Sequence, residues 1–167
     1  MKVCVVGLGY IGLPTAAMFA SNGCQVVGVD ITPSVVETLN EGKIHIEEPG
    51  LGELVKESVA AGRLRASLTP EEADAFIISV PTPNNNNDEY LSCDLSYVLS
   101  AAESIIPYVK KGNVVIIEST IAPRSTDDFV KPLFEKAGFE IGKDLYLAHC
   151  PERVLPGKIL YELTNNN

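Results

Sequence analysis

An α/β architecture, a doubly wound parallel sheet with helices on both faces, is what this sequence predicts. Short, continuously apolar runs rich in Val and Ile recur along the chain, each followed by a stretch of helical periodicity. The runs do not alternate polar with apolar, as a strand buried on both faces requires. A glycine-rich turn between the first run and the first helix is the third observation, and it sets the orientation of the whole.

The elements follow in order. Lys2 to Val6 reads as a buried strand, and Tyr10 to about Asn22 as a helix that Gly23 stops. Gln25 to Val29 is a second strand. Thr32 and Pro33 supply an N-cap and an N1 proline for a helix carrying Val35, Val36 and Leu39 on one side. Lys43 to Gly50 is a loop, whose His45 is read as structural and whose Glu47–Glu48 pair as a solvated turn. Leu51, Leu54, Val55 and Val59 then mark a helix. Thr69-Pro70-Glu71-Glu72 has the form of a capping box and predicts another, short helix. Phe76 to Val80 is a strand stopped by Pro81-Thr82-Pro83. Asp94 is positioned to cap a helix reaching about Val109, Asn113 to Ile117 is a strand, and Thr126 to Ala137 a helix closed by Gly138. Leu145 to Ala148 is the last strand, followed by a turn over 151–157 and the start of a further helix.

The 167 residues, 46% of them hydrophobic, amount to one domain without an internal repeat or linker. A chain of 17.9 kDa buries roughly 69% of its unfolded surface, enough for one core. Thirteen Lys and Arg against 22 Asp and Glu leave a net charge of −9, which argues against non-specific nucleic-acid or anionic-membrane binding. No apolar run approaches the roughly 18 residues of a membrane span. Cys4, Cys24, Cys93 and Cys150 form no CxxC pair, so the expectation is a reducing, cytoplasmic setting and no metal site. The asparagine runs at 84–87 and 165–167 are read as polar loops or placeholders and carry no chemistry.

Gly7-Leu8-Gly9-Tyr10-Ile11-Gly12 follows a strand and opens a helix, the Rossmann-type arrangement for a dinucleotide. Gly7 permits the tight turn, Gly9 the approach of a pyrophosphate, and Gly12 the close packing of helix on strand. The helix N-terminus then offers unpaired N–H groups to the phosphates. Asp30 ends the next strand, 18 residues past Gly12 and 23 past Gly7, bracketing the ~20 expected of a ribose-binding carboxylate. A carboxylate there selects NAD over its 2′-phosphorylated relative. Ligands of open α/β sheets bind outside the carboxyl ends of the strands, which places Thr82 (with a hydroxyl left free by its flanking prolines), Glu118-Ser119-Thr120 and Glu152-Arg153 on one rim. There Glu152 is a general-base candidate and Arg153 an anion binder, although spacing alone favours an ordinary solvated ion pair in a loop. Cys150 is a nucleophile candidate only if the adjacent His149 can serve it as base.

Taken together, the segments KVCVVGLGYIGLPTAAMFA, KIHIEEPGL, SVPTP, DLSYV, ESTIAP and CPERVLPGKILYEL resemble, in order and over essentially all 167 residues, the NAD-binding domain of the UDP-glucose/GDP-mannose dehydrogenase family. The ERVLPGKILYEL segment is most similar to the branch that oxidises UDP-N-acetyl-D-mannosamine. The resemblance implies an NAD-dependent, four-electron oxidation of the C6 alcohol of a UDP-sugar to the uronate, a step that feeds polysaccharide synthesis. Tyr10 and Ile11 would then meet the dinucleotide through their backbone, Asp30 would bind the adenosine ribose, and Thr82 and Thr120 would line the nicotinamide side. Thr120 and Glu152 would be catalytic, Glu152 handling the hydrolytic water, while Arg153 and Val154 would touch the sugar nucleotide. The family's nucleophilic cysteine and catalytic lysine have no matching motif in this chain. Residues 1–167 are therefore expected to be part of a longer, homo-oligomeric enzyme and inactive alone. At 124–126 the chain has Arg-Ser-Thr where many members carry Gly-Thr-Thr. A sibling specific for UDP-glucose or UDP-N-acetylglucosamine and a stand-alone, non-catalytic nucleotide-binding module are the competing readings. Turnover with each sugar separates the first of these, and NAD binding without turnover would mark the second.

Overall fold

Each β-branched run forms the strand its composition favours. The computed structural model describes residues 1–85 and 93–165, and in it six parallel strands make one sheet. They are β1 (Lys2–Val6), β2 (Gln25–Val29), β3 (Leu64–Ser67), β4 (Ala75–Ile78), β5 (Asn113–Ile117) and β6 (Leu145–His149), in the order β3-β2-β1-β4-β5-β6. That order reverses between β1 and β4, which opens a crevice at the carboxyl ends of those strands. The register aligns Val6 with Val29 and Ile78, Ile78 with Ile117, and Ile117 with His149. With Ser67 level with Val29, one row of residues ends all six strands, and every segment that leaves it emerges on the same rim. Part of each asparagine run, at 86, 87, 166 and 167, lies outside the described residues.

Alternate side chains of each strand feed two cores. Cys4, Val6, Phe76, Ile78, Val115 and Ile117 face α4 (Ser96–Ile105) and α5 (Lys131–Lys136), with Phe134 fully buried at the centre. Val3, Val5 and Ile77 face the other way, toward α1 (Gly12–Ser21), α2 (Pro33–Asn40) and α3 (Leu51–Ala60). Burial raises the Cys4 thiol to about 11, so it behaves as a small hydrophobe. All four cysteines are free, and among the described residues no helix is long and apolar enough to cross a membrane.

Three local expectations give way to tertiary demands. The capping box at Thr69–Glu72 forms no helix. From Ser67 at the end of β3 to Ala75 at the start of β4, the chain crosses three strand spacings and descends three residues, about 17 Å. Eight helical steps reach about 12 Å and eight extended ones about 26 Å, so the connection is extended. Glu71 is used instead to bind Lys2 Nζ at 2.8 Å together with the Arg65 guanidinium. Strand β3 itself escapes sequence reading because LRAS offers only two apolar residues, Leu64 and Ala66, both turned inward. The helix expected over 126–137 begins as a wide π-type turn, Thr126–Val130, and becomes α-helical only at Lys131. Pro132 has no N–H for the carbonyl of Asp128, and the backbone widens where that bond is missing.

Two measurements check this packing. Phe134→Ala is expected to cost ~3–5 kcal/mol in denaturant unfolding, the usual cost of emptying a buried phenylalanine site. Under native conditions a soluble alkylating reagent should label exposed Cys150 and leave buried Cys4 untouched until denaturant is added, read by peptide mass.

Candidate functional site

The glycine loop is built by close approach of backbones. Gly7 has φ +93°, and a Cβ placed on it would stand 2.5 Å from the Ser79 carbonyl oxygen. A Cβ on Gly12 would meet the Gly7 carbonyl oxygen at 1.8 Å, so α1 can start against β1 only with glycine there. Gly9 differs: a Cβ there meets nothing within 4 Å, and the space over it is open. The N–H groups of Gly9, Tyr10 and Ile11 find no acceptor among the described residues. Gly28 in β2 adds a glycine that the motif does not advertise. Its missing side chain seats Leu8, whose Cδ2 would lie 2.6 Å from a Cβ.

Asp30 stands beside this loop. Its Oδ2 accepts from Leu8 N at 3.1 Å and its Oδ1 from Thr32 N at 2.9 Å. The carboxylate therefore orders the turn that leads into α2, whose N-cap residue Thr32 makes no side-chain capping bond. A cavity of about 380 Å³ extends from Asp30, Ile31 and Leu68 past Gly7 and Gly9 to Pro81 and Tyr97. Open space over Gly9, three unsatisfied donors at a helix start and a carboxylate at the end of β2 fit a dinucleotide: pyrophosphate on the loop, ribose at Asp30. Gly7, Gly9 and Asp30 line the cavity; Tyr10, Ile11 and Gly12 form its shoulder at the start of α1.

Across the switch point, the ends of β4 and β5 are tied together. Thr82 Oγ1 donates to the Thr120 carbonyl at 2.8 Å, so this hydroxyl is not free as its flanking prolines suggest. Adjacent strands in register bring that carbonyl within reach. Ser119 turns inward and donates to the Val80 carbonyl at 2.7 Å, which leaves Thr120 exposed on the rim. His149 Nε2 donates to the Ser119 carbonyl at 3.2 Å. That bond leaves Nδ1 as the basic nitrogen of the ring, and no hydrogen bond joins it to Cys150 among the described residues. Glu152 is half-buried and accepts from Val154 N, which folds the Glu152–Val154 turn.

Glu48 was expected to be solvated and is buried, 5% exposed. Its two oxygens accept from Gly157 N at 2.7 Å and Ile159 N at 2.8 Å, so it caps α6 (Ile159–Asn165) from 109 residues away. No local pattern reveals such a long-range cap. It fixes the end of the loop that carries Glu152, Arg153 and Val154. Glu118 also turns inward, under the glycine loop, where the Thr15 and Ser79 hydroxyls bind it.

The fold, the loop and Asp30 define an NAD-binding domain of the dehydrogenase class. The chain belongs to the UDP-glucose/GDP-mannose dehydrogenase family, whose NAD binding domain matches residues 1–167. It is 52% identical over 167 residues to a UDP-N-acetyl-D-mannosamine dehydrogenase of Methanococcus maripaludis, covering 99% of this chain and 37% of the relative. The Escherichia coli K12 enzyme of that name is 50% identical, with coverages of 99% and 40%. Among solved structures, the UDP-N-acetyl-mannosamine dehydrogenase of Staphylococcus aureus superposes with a TM-score of 0.97 at 60% identity, over 100% of this chain and 40% of that one. A UDP-glucose dehydrogenase from Pyrobaculum islandicum gives 0.83 at 35%, covering 97% of this chain and 38% of its own. The chain thus spans about two fifths of the length of these relatives.

Arg124 has φ 72°, in the left-handed region. Its guanidinium reaches Asp128, with Nη2 2.7 Å from Oδ1. Arg124→Gly relieves the backbone and gives up an exposed ion pair of little worth, so the Tm should hold or rise. Glu48→Ala leaves two helix-start N–H groups without their acceptor. It should lower stability by about 1–3 kcal/mol and raise hydrogen exchange at Gly157 and Ile159 first.

Proposed function

We propose that this chain is the NAD-binding domain of an enzyme that oxidises the C6 alcohol of UDP-N-acetyl-D-mannosamine to the uronate. The observation that carries the reading is the match, at 50–60% identity over nearly the whole chain, to proteins of that name. The lower identity of 35% to a UDP-glucose dehydrogenase favours the mannosamine substrate over the glucose sibling.

When bound, NAD supplies the hydride acceptor. The chain's own residues bind and orient. Gly9, Tyr10 and Ile11 present backbone N–H groups to the pyrophosphate, and Asp30 accepts from the adenosine ribose hydroxyls. The Thr82–Thr120 bond holds the ends of β4 and β5 in one arrangement, so the exposed Thr120 hydroxyl has a set place on the nicotinamide side. Glu152, on the neighbouring segment, is the base that takes a proton from the hydrolytic water. Arg153 and Val154 follow it on the same turn and meet the sugar nucleotide. The nucleophile that captures the intermediate aldehyde belongs to a further part of the enzyme. Four free thiols suit the reducing cytoplasm as the place of this reaction. Assembly into a homo-oligomer suits the exposed apolar side chains of Phe129, Tyr146 and Tyr161.

The test is NADH formation by the full-length enzyme carrying this domain, with UDP-N-acetyl-D-mannosamine, UDP-N-acetylglucosamine and UDP-glucose offered separately. Two NADH per UDP-N-acetyl-D-mannosamine, with little from the others, is the expected result; preference for another sugar would overturn the substrate assignment. Glu152→Gln should lower kcat by about 10²–10⁴-fold, the range of general acid–base catalysis, with NAD affinity held. Asp30→Ala should weaken NAD binding in titration calorimetry while the circular dichroism stays that of the folded chain.

A further inference from the structure

Glu118 is a half-buried acid for which neither the loop nor the rim chemistry accounts. It leaves the end of β5 and turns back beneath the glycine loop. Oε1 accepts from Thr15 Oγ1 at 3.0 Å, and Oε2 from Thr15 Oγ1 at 3.2 Å and from the Ser79 hydroxyl. Thr15 lies in α1 and Ser79 directly follows β4, and both are buried. Three elements therefore close over one carboxyl, and they bring it hydroxyls but no cation. The ion pairs of Lys2, Lys43, Arg65, Lys110, Lys111, Arg124, Lys131 and Lys143 are all made with other carboxylates. Burial holds the Glu118 carboxyl above the usual carboxylate range, against the pull of the Ser79 and Thr15 hydroxyls, and the negative charge of Glu152 adds to the rise. On the remaining sides, His149 is engaged with the Ser119 carbonyl and Asp30 with the Leu8 and Thr32 N–H groups.

The strand order says which half of a dinucleotide this carboxyl meets. With the adenosine ribose at Asp30, at the end of β2, and the pyrophosphate on the loop after β1, the chain of the cofactor continues over β4 and β5. Its nicotinamide end arrives where Thr15, Ser79 and Glu118 converge. The oxidised ring carries a positive charge and the reduced ring does not. We infer that Glu118 is the counter-charge for the oxidised nicotinamide ring, a positioning residue through which the site tells NAD⁺ from NADH. The inference rests on the NAD assignment and deepens it.

The linkage has a definite sign. In the free protein partial burial and the charge of Glu152 strengthen the hold of Glu118 on its proton, against the pull of the Thr15 and Ser79 hydroxyls. NAD⁺ brings a compensating charge, so its binding expels the proton, and NAD⁺ affinity falls as pH falls through the Glu118 titration. NADH brings none, and its affinity does not follow that curve. Once hydride has arrived the ring is neutral and the carboxylate has lost its partner, which favours release of the reduced cofactor.

The experiment titrates NAD⁺ and NADH separately into the protein from about pH 4, the ordinary carboxylate range, up to about pH 8. The NAD⁺/NADH affinity ratio is expected to drop about tenfold or more toward the acid end, as a shift of one pKa unit or more by an opposite charge requires. Glu118→Gln keeps the shape and removes the charge. It should lower NAD⁺ affinity about tenfold at the alkaline end, affect NADH less, and flatten the ratio. If the two affinities move in parallel with pH, or the Gln variant keeps the wild-type ratio, Glu118 is a structural tie and the inference falls. Should the variant fail to fold, calorimetry of the wild type in two buffers of different ionisation enthalpy decides. Proton release with NAD⁺ alone supports the counter-charge, and equal release with both nucleotides overturns it. Failure of both nucleotides to bind the wild type would overturn the NAD assignment itself, and this inference with it.

Discussion

Contact between backbones at Gly7, Gly12 and Ser79 is the constraint on which the rest of the structure depends. Helix α1 begins so close to β1 and β4 that any side chain at Gly7 or Gly12 would collide with a carbonyl. The closeness aims the start of the helix, with its unsatisfied N–H groups, across the crevice at the switch point. It also brings Thr15 down onto the end of β5, where Glu118 receives it. Shift the helix outward by the width of one methyl group and the phosphate-binding turn and the Thr15–Glu118 tie lose their geometry together. Leu8, seated against Gly28, anchors the same turn to β2 from the other side.

Acidic side chains act as fasteners throughout this acidic chain. Asp30 joins Leu8 to Thr32, Glu48 caps α6, and Glu118 gathers Thr15 and Ser79. Glu71 draws Lys2 and Arg65 together along the extended link to β4. Carboxylates suit this work because each offers two oxygens and accepts several donors at once, and charge-assisted bonds are stronger than neutral ones. The net charge of −9 is therefore only partly a surface property. Three of these acids reach into the interior or the rim and order the loops that carry the chemistry.

The two halves of the crevice are built differently. Around Asp30 there is a true cavity with apolar walls from Ile31, Leu68 and Tyr97, suited to the flat, uncharged end of a nucleotide. Around Thr120 and Glu152 there is an open rim whose hydroxyls and carbonyls are bound to each other. Such a rim holds polar groups in set positions and stays open on one side.

Local patterns suffice for whatever depends on neighbours in the chain. Apolar runs place five of the six strands, and glycine spacing with Asp30 places the nucleotide loop, because those turns need residues without a Cβ at particular steps. Resemblance adds the substrate class, which no periodicity contains. Only the tertiary structure decides what is settled between distant residues. It turns the Thr69–Glu72 box into an extended link because the span is too long for a helix. It makes Glu48 a cap for a helix more than a hundred residues away, ties His149 to the Ser119 carbonyl, and draws Glu118 beneath the loop. Each of these outcomes is a distance between elements, and a linear pattern carries spacing along the chain but not separation across the sheet.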